Sequence, residues 1–169
     1  MKTDALKRAF AVNGELPYPT LLMIDYARTK KALDSCPFCW QDDRNPLAAI
    51  VALGQKTYLS CTLTEELVPG HCLIVPQQHC MSTLELDDED WEEIRVCPLR
   101  HINKKADSQN FMKCLMKMHA KDNKGVLFYE TICSFREQRH TFIEAVPLPF
   151  EEFQDAPAYF RVRATHQLS

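Results

Sequence analysis

The chain has 169 residues, 46% hydrophobic and 25% charged, with a formal net charge of −3. That is the make-up of one folded domain with short extensions, large enough to bury a core without staples. The charge gives no bulk attraction to nucleic acid or to an anionic membrane surface, so any RNA contact has to come from a local patch. No stretch approaches the roughly 18 apolar residues of a membrane span, so no membrane partner is expected.

The first residues, "MKTDALKRAFAVNGELPYP", carry basic side chains but not the continuous apolar core of a signal peptide. They read as an extension over 1–34, with a short helix around Asp4–Ala11 and then a helical or irregular lead-in after Pro17 and Pro19. The apolar runs flanking Gly54–Gln55 predict strand–turn–strand, and Pro69–Gly70 turns into a strand over His71–Val75. "LELDDEDWEEI" predicts a helix start, with Asp87 as cap, acidic residues 88–90 at the positive end of the dipole, and Leu86 stapling onto Trp91. Pro98 should break that helix; over 96–109 periodicity fits either helix or an inserted loop, and the helix resumes at "NFMKCLMKMHA" and closes at Gly125. Strands are expected over 126–133 and 140–147, the last stopped by Pro147 and Pro149; the tail that follows, 161–169 included, has no readable pattern. The order β-β-β-α-β-β predicts an α+β domain over 35–160, with one antiparallel sheet and a helix across it.

Eight cysteines occur, most in apolar or strand-like context, where a reduced thiol acts as a small hydrophobe. A reducing compartment is expected. "CPFC" is different, because Cys36 and Cys39 flank Pro37 and Phe38 at the spacing used both for thiol redox chemistry and for half of a zinc site. The dipeptide filling resembles glutaredoxin, and a glutaredoxin-like thiol oxidoreductase is one reading. Its context argues otherwise: the preceding "YARTKKALD" is not a buried strand, and Pro46 prevents a long helix from following. Zinc requires two further ligands. His79, placed at the end of one predicted strand, and His140, placed at the start of another, would complete a Cys2His2 shell. Spacing alone leaves open that both merely border strands. His71, His101, His119 and His166 read as surface or structurally satisfied histidines, and Cys72 and Cys80 as turned away from the ligands by strand alternation.

Taken together, "CPFC", "GHCLIVPQQH" and "RHTFIEAVPLP" resemble a histidine-triad domain of the CwfJ type, over roughly Ser35 to Phe160. The resemblance implies a histidine-triad-like sheet of about five strands with a long helix packed across it, and 96–109 as an insertion within that helix. It implies a structural zinc held by Cys36, Cys39, His79 and His140. It also implies association with late spliceosomes and intron-lariat turnover, a nuclear location, and spliceosomal proteins, intron RNA or the lariat-debranching machinery as partners. The second domain with which such proteins usually continue is expected to be missing, since the pattern stops after "APAYF".

Active triads run His-x-His-x-His and attack phosphorus with the middle imidazole, whereas here the face reads His140, Phe142, Glu144. A phenyl ring has no lone pair for that attack, so the expectation is a pseudoenzyme used as a binding module. Nucleotide phosphohydrolase or nucleotidyl transferase chemistry, with Glu144 as a base, is the competing reading. Arg136 and Arg139, and also Lys104 and Lys105, are candidate phosphate contacts.

Overall fold

The structure, a computed structural model, describes residues 18–41, 44–95, 111–132 and 135–166, and side chains only between 23 and 160. The chain divides into two compact units, Met1–Cys36 and Pro37–Ser169. In the first, helix α1 (Tyr18–Asp34) carries Pro19 in its opening turn, where a missing N–H costs nothing. Its C-terminal end is closed by Ser35, whose N–H and hydroxyl both donate to the Lys31 carbonyl at 3.1 and 2.8 Å. The short helix expected over Asp4–Ala11 and the insertion expected over 96–109 lie outside the described residues.

The second unit is built on five strands: β1 (Ile50–Leu53), β2 (Thr57–Cys61), β3 (Cys72–Pro76), β4 (Lys124–Tyr129) and β5 (Ile143–Pro149). They form one antiparallel sheet in the order β1-β2-β3-β5-β4. Helices α2 (Asp88–Ile94), α3 (Phe111–Ala120) and α4 (Phe150–His166) complete it. Cys72 and Ile74 of β3 and Ile143 and Ala145 of β5 alternate onto one face, where Ile94 of α2 and Phe111 and Leu115 of α3 join them in the core. This is the expected α+β arrangement.

Local rules explain the sharpest joints. Asp87 caps α2 in a reciprocal box: its carboxylate accepts the Asp90 N–H at 2.9 Å, and the Asp90 carboxylate accepts the Asp87 N–H at 3.3 Å. The β1–β2 turn is gripped from α2 by Glu93, which accepts the N–H groups of Gln55, Lys56 and Thr57 at 2.6, 2.7 and 2.9 Å. Gly54 sits under that carboxylate, where any Cβ would overlap it.

Other joints differ from expectation. Gly125 does not close the helix: Asn123, with φ 53°, makes the left-handed turn after α3, and Gly125 lies within β4 under the ring of Phe153. β4 ends at Tyr129 rather than at residue 133, and β5 starts at Ile143 rather than 140 but runs on through Pro147 and Pro149. Those prolines are tolerated because β3 pairs with β5 only up to Ala145, so the strand beyond has an open side. The tail is not patternless. It folds as α4, with Glu151 and Glu152 in the first turn and Pro157 inside, at the loss of one backbone bond.

Candidate metal centre

Beyond Ile74 and Ile143 the strands β3 and β5 no longer pair. The two chains separate there and are rejoined by the Thr141 N–H, which donates to the Cys80 carbonyl at 2.8 Å. His79 and His140 lie in this gap, three residues past the end of β3 and three before the start of β5, and not on the strands themselves. A proline at position 76 favours the parting, since it has no N–H to extend the ladder.

The Cys-x-x-Cys turn enters the same gap. Its Phe38 is buried, with the Phe38 carbonyl accepting the hydroxyl of fully buried Tyr58 at 2.6 Å and the Pro37 carbonyl accepting the Leu47 N–H at 2.8 Å. Cys39 Sγ stands 3.2 Å from His79 Nδ1 and 3.3 Å from His140 Nδ1. The ligand atoms of Cys36, Cys39, His79 and His140 all lie within 4.8 Å of one another, and all but His79 are buried residues.

The ring tautomers follow from the other side of each histidine. His79 Nε2 donates to the Gln138 carbonyl at 3.0 Å and His140 Nε2 to the Pro76 carbonyl at 2.9 Å. A carbonyl only accepts, so each Nε2 carries a proton, and in the neutral ring Nδ1 then presents its lone pair to the sulfur. A divalent cation satisfies every lone pair at once, and carbonyl-anchored imidazoles are the usual outer layer of such sites. The edge of a tetrahedral zinc site with sulfur and nitrogen ligands is roughly 3.5 Å, close to these separations. The donor set therefore fits zinc. The ion would be structural there, with four protein ligands and no open position for a substrate.

Two residues that the sequence did not reveal hold this arrangement. Glu130, just past β4, accepts the Thr83 N–H and hydroxyl, each at 2.7 Å, and also the Thr141 hydroxyl. It thereby ties the segment after His79 to the segment after His140. Gln138 adopts φ 47°, an uncommon conformation for a non-glycine residue, and it is this residue's carbonyl that meets His79. Neither has a local motif; each is recognisable only once chain segments distant in sequence meet.

The other predicted positions fall elsewhere. Phe142 is half-buried and packs on Phe38, ring centroids 5.2 Å apart. Glu144 accepts the Tyr129 hydroxyl at 2.7 Å and lies 3.3 Å from His71 Nε2, without hydrogen-bond geometry to the latter. Burial, and then the hydrogen bond and charge of Glu144, push the Tyr129 hydroxyl up to about 12. His71 is thus a buried neighbour of Glu144, its Nδ1 accepting the Leu67 N–H at 3.3 Å. His119 is also buried, with Nε2 unsatisfied, and burial lowers its pKa. Arg136 and Arg139 are exposed beside the short 3-10 turn Phe135–Glu137, and Arg139 pairs with Glu137 at 2.5 Å. His101, Lys104 and Lys105 lie outside the described residues, as does the side chain of His166.

An antiparallel five-stranded α+β domain with a Cys2His2 cluster where two strands part defines the class of protein. The chain belongs to the family described as proteins similar to the CwfJ C-terminal, whose pattern matches residues 24–161. It is 38% identical over 137 residues to the pre-mRNA-splicing factor cwf19 of Schizosaccharomyces pombe, covering 81% of this chain and 19% of that protein. It is 36% identical over 129 residues to human CWF19-like protein 2, covering 76% of this chain and 13% of that protein. The chain thus spans a small part of the relatives it matches. Among solved structures, a hypothetical protein from Leishmania major matches with a TM-score of 0.43 and 19% identity, over 70% of this chain and 88% of that one.

Proposed function

We propose that this chain is a zinc-stabilised, non-catalytic binding module of pre-mRNA splicing assemblies, acting in the nucleus at the late, intron-lariat stage. The observation that carries the reading is family membership together with 38% identity to a protein named as a pre-mRNA-splicing factor. The cluster of Cys36, Cys39, His79 and His140 supports zinc as the structural ion. Phe142 packed on Phe38, and Glu144 engaged by Tyr129, support a face given over to packing rather than to phosphorus chemistry. The partners are spliceosomal proteins, with intron RNA reaching Arg136 and Arg139 through its phosphates, or the debranching machinery. The folding unit proposed for this role is 35–160.

Addition of the tagged chain to splicing extract tests the reading. It is expected to co-sediment with complexes that hold excised lariat, and the Cys39→Ala chain is not. Equal recovery with early complexes, or none with either, would overturn it. Turnover of dinucleotide or adenylated substrates, abolished by Glu144→Gln, would replace it with the enzyme reading.

A further inference from the structure

Cys61, the last residue of β2, stands directly opposite Cys72, the first residue of β3. Directly opposed residues share one face of a sheet. The register also fixes which kind of pair this is. The Gln77 N–H donates to the Lys56 carbonyl at 2.7 Å, just outside the partners Thr57 and Pro76. Counting along the ladder from that bond, Thr57–Pro76, Leu59–Ile74 and Cys61–Cys72 are the positions that do not exchange backbone hydrogen bonds. At such positions the Cα atoms approach to about 4.5 Å and the side chains lean together, within the roughly 4.4–6.8 Å that a disulfide spans. Both residues are thiols in this structure.

Exposure divides the roles. Cys61 is open to solvent, while Cys72 is buried in the core beside Leu59 and Ile74. We infer that Cys61 and Cys72 form a thiol–disulfide site, closed by exchange with a small dialkyl disulfide such as oxidised glutathione and reopened by its thiol.

The Cys61 thiolate attacks one sulfur of the small disulfide, breaking its S–S bond and releasing one thiol. Cys72 then loses its proton to solvent and attacks the Cys61 sulfur, displacing the second thiol. Two protein thiols are oxidised to one disulfide, and one small disulfide is reduced to two thiols. Burial, with Cys61 alongside, pushes the Cys72 thiol up to about 11, which makes the second step the slow one. The pair sits at the lower limit of disulfide spacing, so the bond formed is readily reduced, as expected of a reversible site rather than a structural staple. It would also tie the base of the β2–β3 loop, which carries the exposed Leu63 and Leu67 and ends at His71. The inference does not rest on the zinc reading, since neither cysteine belongs to the cluster.

The test exposes the full chain, folded and metal-loaded, to oxidised glutathione, followed by alkylation, digestion and mass spectrometry. A peptide linked through Cys61 and Cys72 should form, return to two alkylated thiols on adding reduced glutathione, and be lost in Cys61→Ser. Because Cys61 is exposed, that variant keeps the fold, and its circular dichroism checks this. Glutathione retained on Cys61 with Cys72 still alkylatable would overturn the inference. So would a link through Cys36–Cys39 in place of this one, or two thiols that stay unoxidised.

Discussion

Two sets of neighbouring side chains where β3 and β5 part are put to different uses. Where the strands part, His79 and His140 aim Nδ1 at a sulfur, each ring held by a backbone carbonyl. Next to them, Phe142 just before β5 and Glu144 on it are absorbed into local packing and hydrogen bonding. A ligand shell needs several groups to agree in position, whereas a packed face tolerates many side chains. The ligand set should therefore be brittle and the packed face forgiving.

The sharpest break in that contrast comes from the ligands. Cys39→Ser or His140→Ala should release zinc and lower domain stability by at least roughly 3 kcal/mol, given that structural zinc carries about 10–16 kcal/mol of apparent binding free energy in small domains. Metal analysis with chelator-paired denaturation measures it; unchanged stability with metal retained would place the ion elsewhere. Next is Glu130→Ala, which strips an N–H and two hydroxyls of their acceptor at once. The loss should be about 1–3 kcal/mol for each group left buried and unpaired, with zinc affinity falling too. Chelator competition separates the two effects, and Glu130→Gln should recover part of both.

On the forgiving face, Phe142→His places an imidazole at position 142 and should cost only about 1 kcal/mol of lost ring packing on Phe38. No nucleotide turnover should appear, because the phosphate pocket would also have to be rebuilt. The smallest effect is set by pH. Burial holds the His119 pKa below its usual value of 6.5, with Lys124 adding to the shift and Asp122 opposing it. The folded state therefore takes up a proton less readily than the unfolded chain. The stability tied to this ring is intact above about 6.5 and declines as pH falls towards the folded value. Compared with the parent chain, His119→Gln should flatten denaturant midpoints measured across that window; an unchanged slope would remove His119 from the account.

Much of this was legible in the sequence, for reasons that are local. The Asp87 cap lies three residues from its partner, and strands announce themselves by alternation. The grouping of Cys36, Cys39, His79 and His140 came from the family resemblance and not from spacing; the structure gathers the four, although both histidines were placed on strands when they lie just outside them. α4 was missed because the tail after Pro147 and Pro149 shows no readable pattern, yet both prolines precede the helix and Pro157 is tolerated within it. Glu130 and Gln138 were missed because their partners, Thr83 and Thr141 for the one and His79 for the other, are brought to them only by the fold.

The carbonyls of Pro76 and Gln138 have a consequence for evolution. Every amino acid supplies that oxygen, so what selection can see in these two contacts is the route of the main chain, which the missing N–H of Pro76 helps to set, whereas side-chain identity at position 138 is largely free to drift. Homologues could thus diverge at position 138 and still orient the same imidazole, provided that the residue there can adopt the left-handed bend. Glycine, which enters that bend most easily, would be the least disruptive replacement there, and a β-branched residue the worst.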